Sequence, residues 1–298
     1  MKSAPLAFAA LTLATSVTLL TACDRAAPAP ASSRTSHADQ LPAPQVAATR
    51  DDYIDTLRPG QIISINNPYG DVHAQFGGFE NQIETHAVLQ EPAKAAHIQL
   101  VPATTPDGIY TIAPRLPPGA TVRDTQRLDL SVMVPEGHAL HVQTEHGVID
   151  VHGIHGDVDL KSAAGDITLR AIHGAIQAET TEGSIEASLG TAPHGSRQRL
   201  ATTTGDIQVG VDDGLDATIA MATSGLFATD YSLAVTRHPG EEPNKSARAV
   251  VGSNASEIRL DSKRGEIRLM RRAGFTSVGE ASRGAATKEQ GEDDNDSD

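Results

Sequence analysis

Between Thr144 and Ala187 the apolar positions follow two superimposed periods. Glycine returns every nine residues, at Gly147, Gly156, Gly165, Gly174 and Gly183. Two positions after each glycine stands a branched aliphatic: Ile149, Val158, Ile167, Ile176, Ile185. Four positions after it stands a second apolar residue: Val151, Leu160, Leu169, Ala178, Ala187. The intervening residues are mostly polar. Alternation of period two predicts a short strand with one buried face after every glycine. The glycine falls in the turn, where it is free to take positive φ. Alternate units differ, because Ile154 and Ile172 occupy a position that Glu145, Ala163 and Thr181 take in the others. The full repeat is therefore about eighteen residues, with two strands per coil. A unit this short cannot bury its own apolar face, so copies must stack. The pattern predicts an all-β, narrow, two-sided β-solenoid. Ile149, Ile167 and Ile185 form one inward column and Val158 and Ile176 the other. An antiparallel meander could also space glycines by nine, but it would reverse alternate strands and leave the longer alternation unexplained.

The same signature extends outward from this block. Upstream, Ile62–Ile65 leads through Asn67-Pro68-Tyr69-Gly70 into Asp71-Val72-His73-Ala74, one further copy. Strands are also expected at 82–89, 97–101, 109–113 and 127–134, with Pro114, Pro117 and Pro118 breaking the pattern between them. Tyr53, Tyr69, Phe76 and Phe79 gather in this part of the chain. A solenoid end needs a cover over its core, and these four aromatics are the expected plug. Downstream, Gly205 with Ile207 and Val209, a weaker unit at Gly225 with Phe227, and a clear one at Gly265 with Ile267 and Leu269 restate the repeat. Residues 237–246 read as an exposed excursion.

The two ends have a different character. Residues 1–22 combine Lys2 with an Ala/Leu/Thr run, and the segment closes on Leu20-Thr21-Ala22-Cys23, which resembles the lipobox of bacterial lipoproteins. That resemblance implies a signal peptide over 1–22 and a lipid on Cys23, the one cysteine of the chain, so no disulfide forms within it. Residues 23–50 are rich in Ala, Pro and Ser without apolar period. They are expected to be a tether with a reach of about 30 Å. Residues 51–272 hold the repeat domain. Residues 273–298 lack apolar period and gather Glu289, Glu292, Asp293, Asp294, Asp296 and Asp298, as a solvated acidic tail would.

Composition narrows the chemistry. The chain of 298 residues has no tryptophan and a net charge of −14. A thin Val/Ile/Leu/Ala core can do without aromatics, and the negative charge argues against nucleic acid as a partner. Six of the twelve histidines lie between His138 and His173. Eighteen-residue coils would stack His155 on His173 about one strand spacing apart, with His152 in the same turn. These three are the candidate metal ligands. Arg170 stacked on His152 would repel a cation, so exposed turn histidines and no bound metal or cofactor are expected. Asp follows glycine at Asp157 and Asp166 only, and Ala175 and Ser184 lie one coil on, so no calcium-binding carboxylate column forms. The outward columns Asp150–Thr168–Glu186 and Asp159–Gln177 show neither a paired-carboxylate site nor a nucleophile with its base. No catalytic residue is expected.

The run Val134-Pro135-Glu136-Gly137 with Leu140, Val142, Thr144 and Gly147, followed by Gly-x-Ile/Val-x-Val/Leu units, resembles the putative-adhesin β-strand-repeat family of bacterial domains of unknown function. Ile65-Asn66-Asn67 with Gly70-Asp71-Val72 resembles that family's start, and Ser262 to Leu269 its final strand pair. The likeness spans roughly 60–270. It implies a right-handed β-solenoid exposed in the cell envelope and brings no active-site residues. Together with Cys23 it implies a non-catalytic, lipid-anchored, adhesin-like module. Its folded domain would lie in the periplasm on the inner or outer membrane, facing a protein or other envelope component. The alternative is a periplasmic envelope-stress sensor binding a small ligand or metal through the His-rich turns.

Overall fold

Parallel strand pairs recur through the middle of the chain because each short apolar unit finds its partner one coil away. Leu140 faces Val158, Val158 faces Ile176, Ile149 faces Ile167 and Ile167 faces Ile185, all in parallel register. The contact from Thr144 to Ser162 gives the repeat length directly, a separation of 18 residues. The computed structural model describes residues 46–190, 193–253 and 255–272. Two large sheets result, and the chain crosses between them twice per coil. The first sheet carries Ile149–His152, Ile167–Arg170, Ile185–Leu189 and Ile207–Val211, and the second Leu140–His146, Val158–Ala164, Ile176–Glu182 and Arg197–Thr204. This is a β-solenoid, and the meander alternative falls with the parallel register.

The inward columns are those the period predicts, and they run further. On the first sheet Leu130, Val72, Ile149, Ile167, Ile185, Ile207 and Ile267 stand in register, all 0% exposed. On the second sheet Ile63, Leu140, Val158 and Ile176 continue to Ile258 and Ile219. Gln198, facing Ile258, interrupts that column. It is 4% exposed, and its Oε1 has no hydrogen-bond partner among the described residues.

The glycine corner is governed by close approach. A Cβ on Gly165 would stand 1.9 Å from the carbonyl oxygen of Gly147, and one on Gly265 would stand 1.8 Å from that of Gly205. Gly165 does not carry a positive φ, which corrects the expected reason for glycine there. Successive coils pack their corner backbones directly on one another, and no side chain fits between. Just before the glycine a buried column of polar side chains follows the same stack: Asn67, Thr144, Ser162, Thr180, Thr202 and Ser262. Three of their hydroxyls reach the preceding corner. Thr180 donates to Gly165 O, Thr202 to Gly183 O and Ser262 to Gly205 O, at 2.9–3.0 Å. These bonds satisfy carbonyls that the tight turn leaves outside the strand ladder.

The aspartates after glycine serve the same stack. Asp166 Oδ1 accepts the amide of Ser184 at 2.7 Å, Asp157 Oδ1 that of Ala175 at 2.8 Å, and Asp206 Oδ1 that of Glu266 at 2.7 Å. One carboxylate thus caps the next coil, so the residue above it need not be acidic. That is why no carboxylate column forms.

The two ends depart from sequence order. On the second sheet Ser256–Ser262 lies between Arg197–Thr204 and Ala217–Thr223; on the first, Ile267–Arg271 lies between Ile207–Val211 and Phe227–Thr229. The last coil in sequence is therefore inserted below the one that precedes it. At the other end Val72–Phe76 sits between Arg127–Val134 and Ile149–His152. Antiparallel strands finish both ends. Val46–Thr56 and Gln82–Pro92 extend the first sheet, while Lys245–Val251 and Ala234–Arg237 extend the second.

Two expectations change here. The strand at Val46 begins inside the segment 23–50 read as a tether. It is a largely exposed edge strand held by its backbone pairing to Gln82–Pro92, so it shows no apolar alternation. The four-aromatic plug also dissolves. Tyr53 and Tyr69 pack against the core, but Phe79 is 72% exposed and Phe76 48%. The core at this end is closed instead by aliphatics from the antiparallel strands, among them Ile83, Leu89 and Leu128. The expected tail, 273–298, and the segment 1–45 lie outside the described residues.

Candidate functional site

Three polar features stand on the surface. The first is at a corner. His155 and His173 meet with ring centroids 4.6 Å apart, edge to face, and Phe76 stacks on the other side of His155 at 4.8 Å and 10°. His155 Nδ1 lies 3.5 Å from Glu136 Oε1. The eighteen-residue coil brings the two imidazoles together as the sequence suggested. His152 does not join them. It lies on the outer face of the first sheet, beside Arg170. Among the described residues no group of three His, Cys, Asp or Glu side chains is placed to hold a metal ion. Phe76, expected to plug the core, is instead the apolar end of this stack.

The second feature is a lateral row on the outer face of the first sheet. Cross-strand partners run Asp52, His86, Ser131, His73, Asp150. His86 Nδ1 lies 2.7 Å from Asp52 Oδ1, and His73 Nδ1 lies 3.9 Å from Asp150 Oδ2. Hydrogen bonds from Arg50, and next from His86, hold the Asp52 carboxyl below the usual carboxylate range. Arg170 donates to both oxygens of Asp150 at 3.2 Å. His73, His86, Ser131, Asp150 and Arg170, with His152 and Arg272, border an open cleft of about 520 Å³. Sequence reasoning missed this row because it joins five separate strands. Two histidine–carboxylate pairs flank a serine, but among the described residues no hydrogen bond links Ser131 to either ring. The row is a polar surface in which each carboxylate has a cationic partner.

The third feature is basic. Arg199 and Arg259 are cross-strand neighbours on the outer face of the second sheet. They share the carboxylate of Asp261, at 3.6 and 2.7 Å. Arg197 lies 3.7 Å from Glu257, and Arg248 stands nearby with no carboxylate partner among the described residues. Cys23, the expected lipidation site, lies outside the described residues.

Comparison with known proteins gives one family. The Toastrack DUF4097 family matches residues 119–270, the span that contains the repeat block and the inserted last coil. No curated protein matches the chain. Among solved structures it is similar to a putative cell adhesion protein from Clostridium sporogenes ATCC 15579, at 13% identity and a TM-score of 0.42, covering 75% of this chain and 100% of that one. It is also similar to a putative adhesin from Bacteroides fragilis NCTC 9343, at 12% identity and a TM-score of 0.30, covering 76% of this chain and 98% of that one. A putative adhesin from Parabacteroides distasonis ATCC 8503 aligns at 10% identity with a TM-score of 0.29, over 74% of this chain and 97% of that one. The match to the family model spans the stacked coils themselves, and the chain belongs to the Toastrack DUF4097 family.

Proposed function

We propose that this protein is a lipid-anchored module of the bacterial cell envelope. It would present the outer faces of its solenoid to a protein or other envelope component without catalysing a reaction. The observation that carries the proposal is Leu20-Thr21-Ala22-Cys23, a lipobox-like end to an Ala/Leu/Thr-rich leader. The faces support it in kind. They are broad, polar and partly self-neutralised, as surfaces for protein or glycan contact are, and the row most like a catalytic one lacks the bond that would activate its serine. Anchoring at Cys23 would place the folded part in the periplasm, beside the inner or outer membrane. The net charge of −14 disfavours nucleic acid as a partner.

The test is expression of the full chain and of Cys23→Ser in a Gram-negative host. The intact mass of the first should exceed that of the processed polypeptide by a diacylglyceryl group, and the protein should partition into detergent. The variant should retain its leader and lack that added mass. Identical masses and partitioning for the two would overturn the anchor. Cross-linking in intact envelopes, with the anchored protein as bait, then identifies the partner.

A further inference from the structure

Four arginines gather at one end of the outer face of the second sheet. One lateral row reads Arg199, Arg259, Ala220, Arg248, Ala234 across successive strands. The alanine at 220 leaves a gap between two guanidinium-bearing strands. A hollow of about 420 Å³ opens there, floored by Ala220, Ala222 and Ala234 and flanked by Arg248 and Arg259. Two further hollows adjoin it, one bordered by Arg197 and Arg248 and one by Arg197, Arg199 and Arg259. Four arginines thus frame three contiguous depressions. Their counter-charges are few. Asp261 is shared between two of them, and Arg199 also reaches Glu179 at 3.3 Å. The Arg197–Glu257 contact is loose, with both side chains more than half exposed, so it holds little. Guanidinium forks set around a small-residue floor suit carboxylates, which they can grip through two parallel hydrogen bonds.

The chain itself holds such carboxylates. Glu289, Glu292, Asp293, Asp294, Asp296 and Asp298 fall within ten residues. The described residues also end beside the arginine face. Each coil crosses from the end of its first-sheet strand to the start of a second-sheet strand, as from Val211 to Ala217. Arg271 pairs in parallel with Val211, and Arg272 Nη1 holds Asp212, at the head of that crossing, at 2.9 Å. The described residues therefore end, at Arg272, by the corner where the second-sheet strands begin, the side of Arg197 and Ser256. Residues 273–288 can span up to roughly 55 Å, so the carboxylates can reach all three hollows. We propose that the acidic segment 289–298 docks in cis on the four-arginine face of the second sheet. It then covers a surface that would otherwise attract anionic envelope components.

Arginine-selective modification by phenylglyoxal, followed peptide by peptide by mass spectrometry, tests this on the full chain. The comparison chain carries Glu289→Gln, Glu292→Gln, Asp293→Asn, Asp294→Asn, Asp296→Asn and Asp298→Asn. At low salt Arg248 and Arg259 should react at least about three-fold more slowly in the natural chain than in the amide variant. About 1 M NaCl should abolish the difference. Arg115, exposed at the other end of the fold, should react alike in both, and the protection should not depend on protein concentration. Equal rates at Arg248 and Arg259 would overturn the docking. Protection that grows with concentration would also overturn it, by assigning the contact to a second copy.

Discussion

The coils between 140 and 189 and the coils that finish the two ends share one strand pair and one glycine corner, yet different distances along the chain hold them. In the middle, every strand pairs with the strand one coil away, and Asp166 caps Ser184 at a separation of 18 residues. At the far end the same cap runs from Asp206 to Glu266 across 60 residues. At the near end Asp71 Oδ1 accepts the amide of Val148 across 77. A local repeat can extend indefinitely and leaves its last apolar face open. The ends solve that problem by threading a late or early strand pair between coils formed elsewhere, then finishing with antiparallel strands. Closing such long loops costs more entropy than closing a coil, so the ends depend on contacts that cannot form piecemeal. Independent, nearest-neighbour stability, the usual property of repeat proteins, should hold in the middle and fail at the ends.

Removing the inserted coil gives the largest expected effect. A chain cut after Ala255 lacks Ser256–Ser262 and Ile267–Arg271, each of which pairs on both sides. The coil at 217–229 would then face no parallel partner. Hydrogen exchange should show amide protection lost from about 197 through 251 and retained from 140 to 170. If protection at 217–251 survives, the insertion is dispensable and the contrast between middle and ends is wrong. Trimming residues 46–50 should matter far less, since they are exposed and pair along one edge only.

Within the repeat, the corner should prove as sensitive as the core. Gly165→Val forces a Cβ to within 1.9 Å of a backbone oxygen, and neither neighbouring coil can yield without breaking its own register. We expect a cost of at least about 3 kcal/mol. Ile167→Asp, placing a carboxylate in a site 0% exposed, should exceed about 4 kcal/mol. Denaturant midpoints compare the two. A Gly165→Val chain as stable as the natural one would mean that the corners can part, and that the stack is held by its columns alone.

The repeat was legible because period two and the nine-residue glycine spacing are local, and 127–134 was legible for the same reason. The strand at Val46 was not, since an edge strand with both faces wet carries no alternation. The insertion of Ser256–Arg271 could not be read either. Its signature is that of any other coil, and register across 60 residues leaves no mark on composition. The row from Asp52 to Asp150 shares that difficulty, being assembled from strands that meet only after the ends close. The stacked pair His155 and His173 was legible because it obeys the local period. Phe76, at the end of that stack, was read as core, since aromatic character alone does not tell a surface platform from a plug.

One position in the second-sheet column sharpens the comparison by a gain rather than a loss. Gln198 belongs to the coil reached by the longer loop after Leu189, where the repeat first loosens. It occupies an aliphatic site, with its Oε1 unpaired among the described residues. Gln198→Leu removes the unpaired acceptor and extends the column, and should stabilise by about 1 kcal/mol. Differential scanning calorimetry would register this as a higher midpoint. A lower midpoint would show that the amide makes a contribution the column does not.

The smallest expected effect tests whether the outer face is as tolerant as the inner one is strict. Thr168 is half-buried on the outer side of the first sheet, directly between Asp150 and Glu186. An aspartate there would stand between two like charges on adjacent strands, which is unfavourable. Thr168→Lys instead places a cation between them, although Arg170 already engages Asp150. The new pairs are partly exposed and screened, so the gain should be no more than about 0.5 kcal/mol. Thr168→Asp should lose a similar amount, and the gap between the two variants should shrink with added salt. Measured midpoints for both, at low and high ionic strength, settle the face assignment. If Thr168→Lys is as damaging as a core substitution, the residue points inward and the alternation fails in the very coil that defines it.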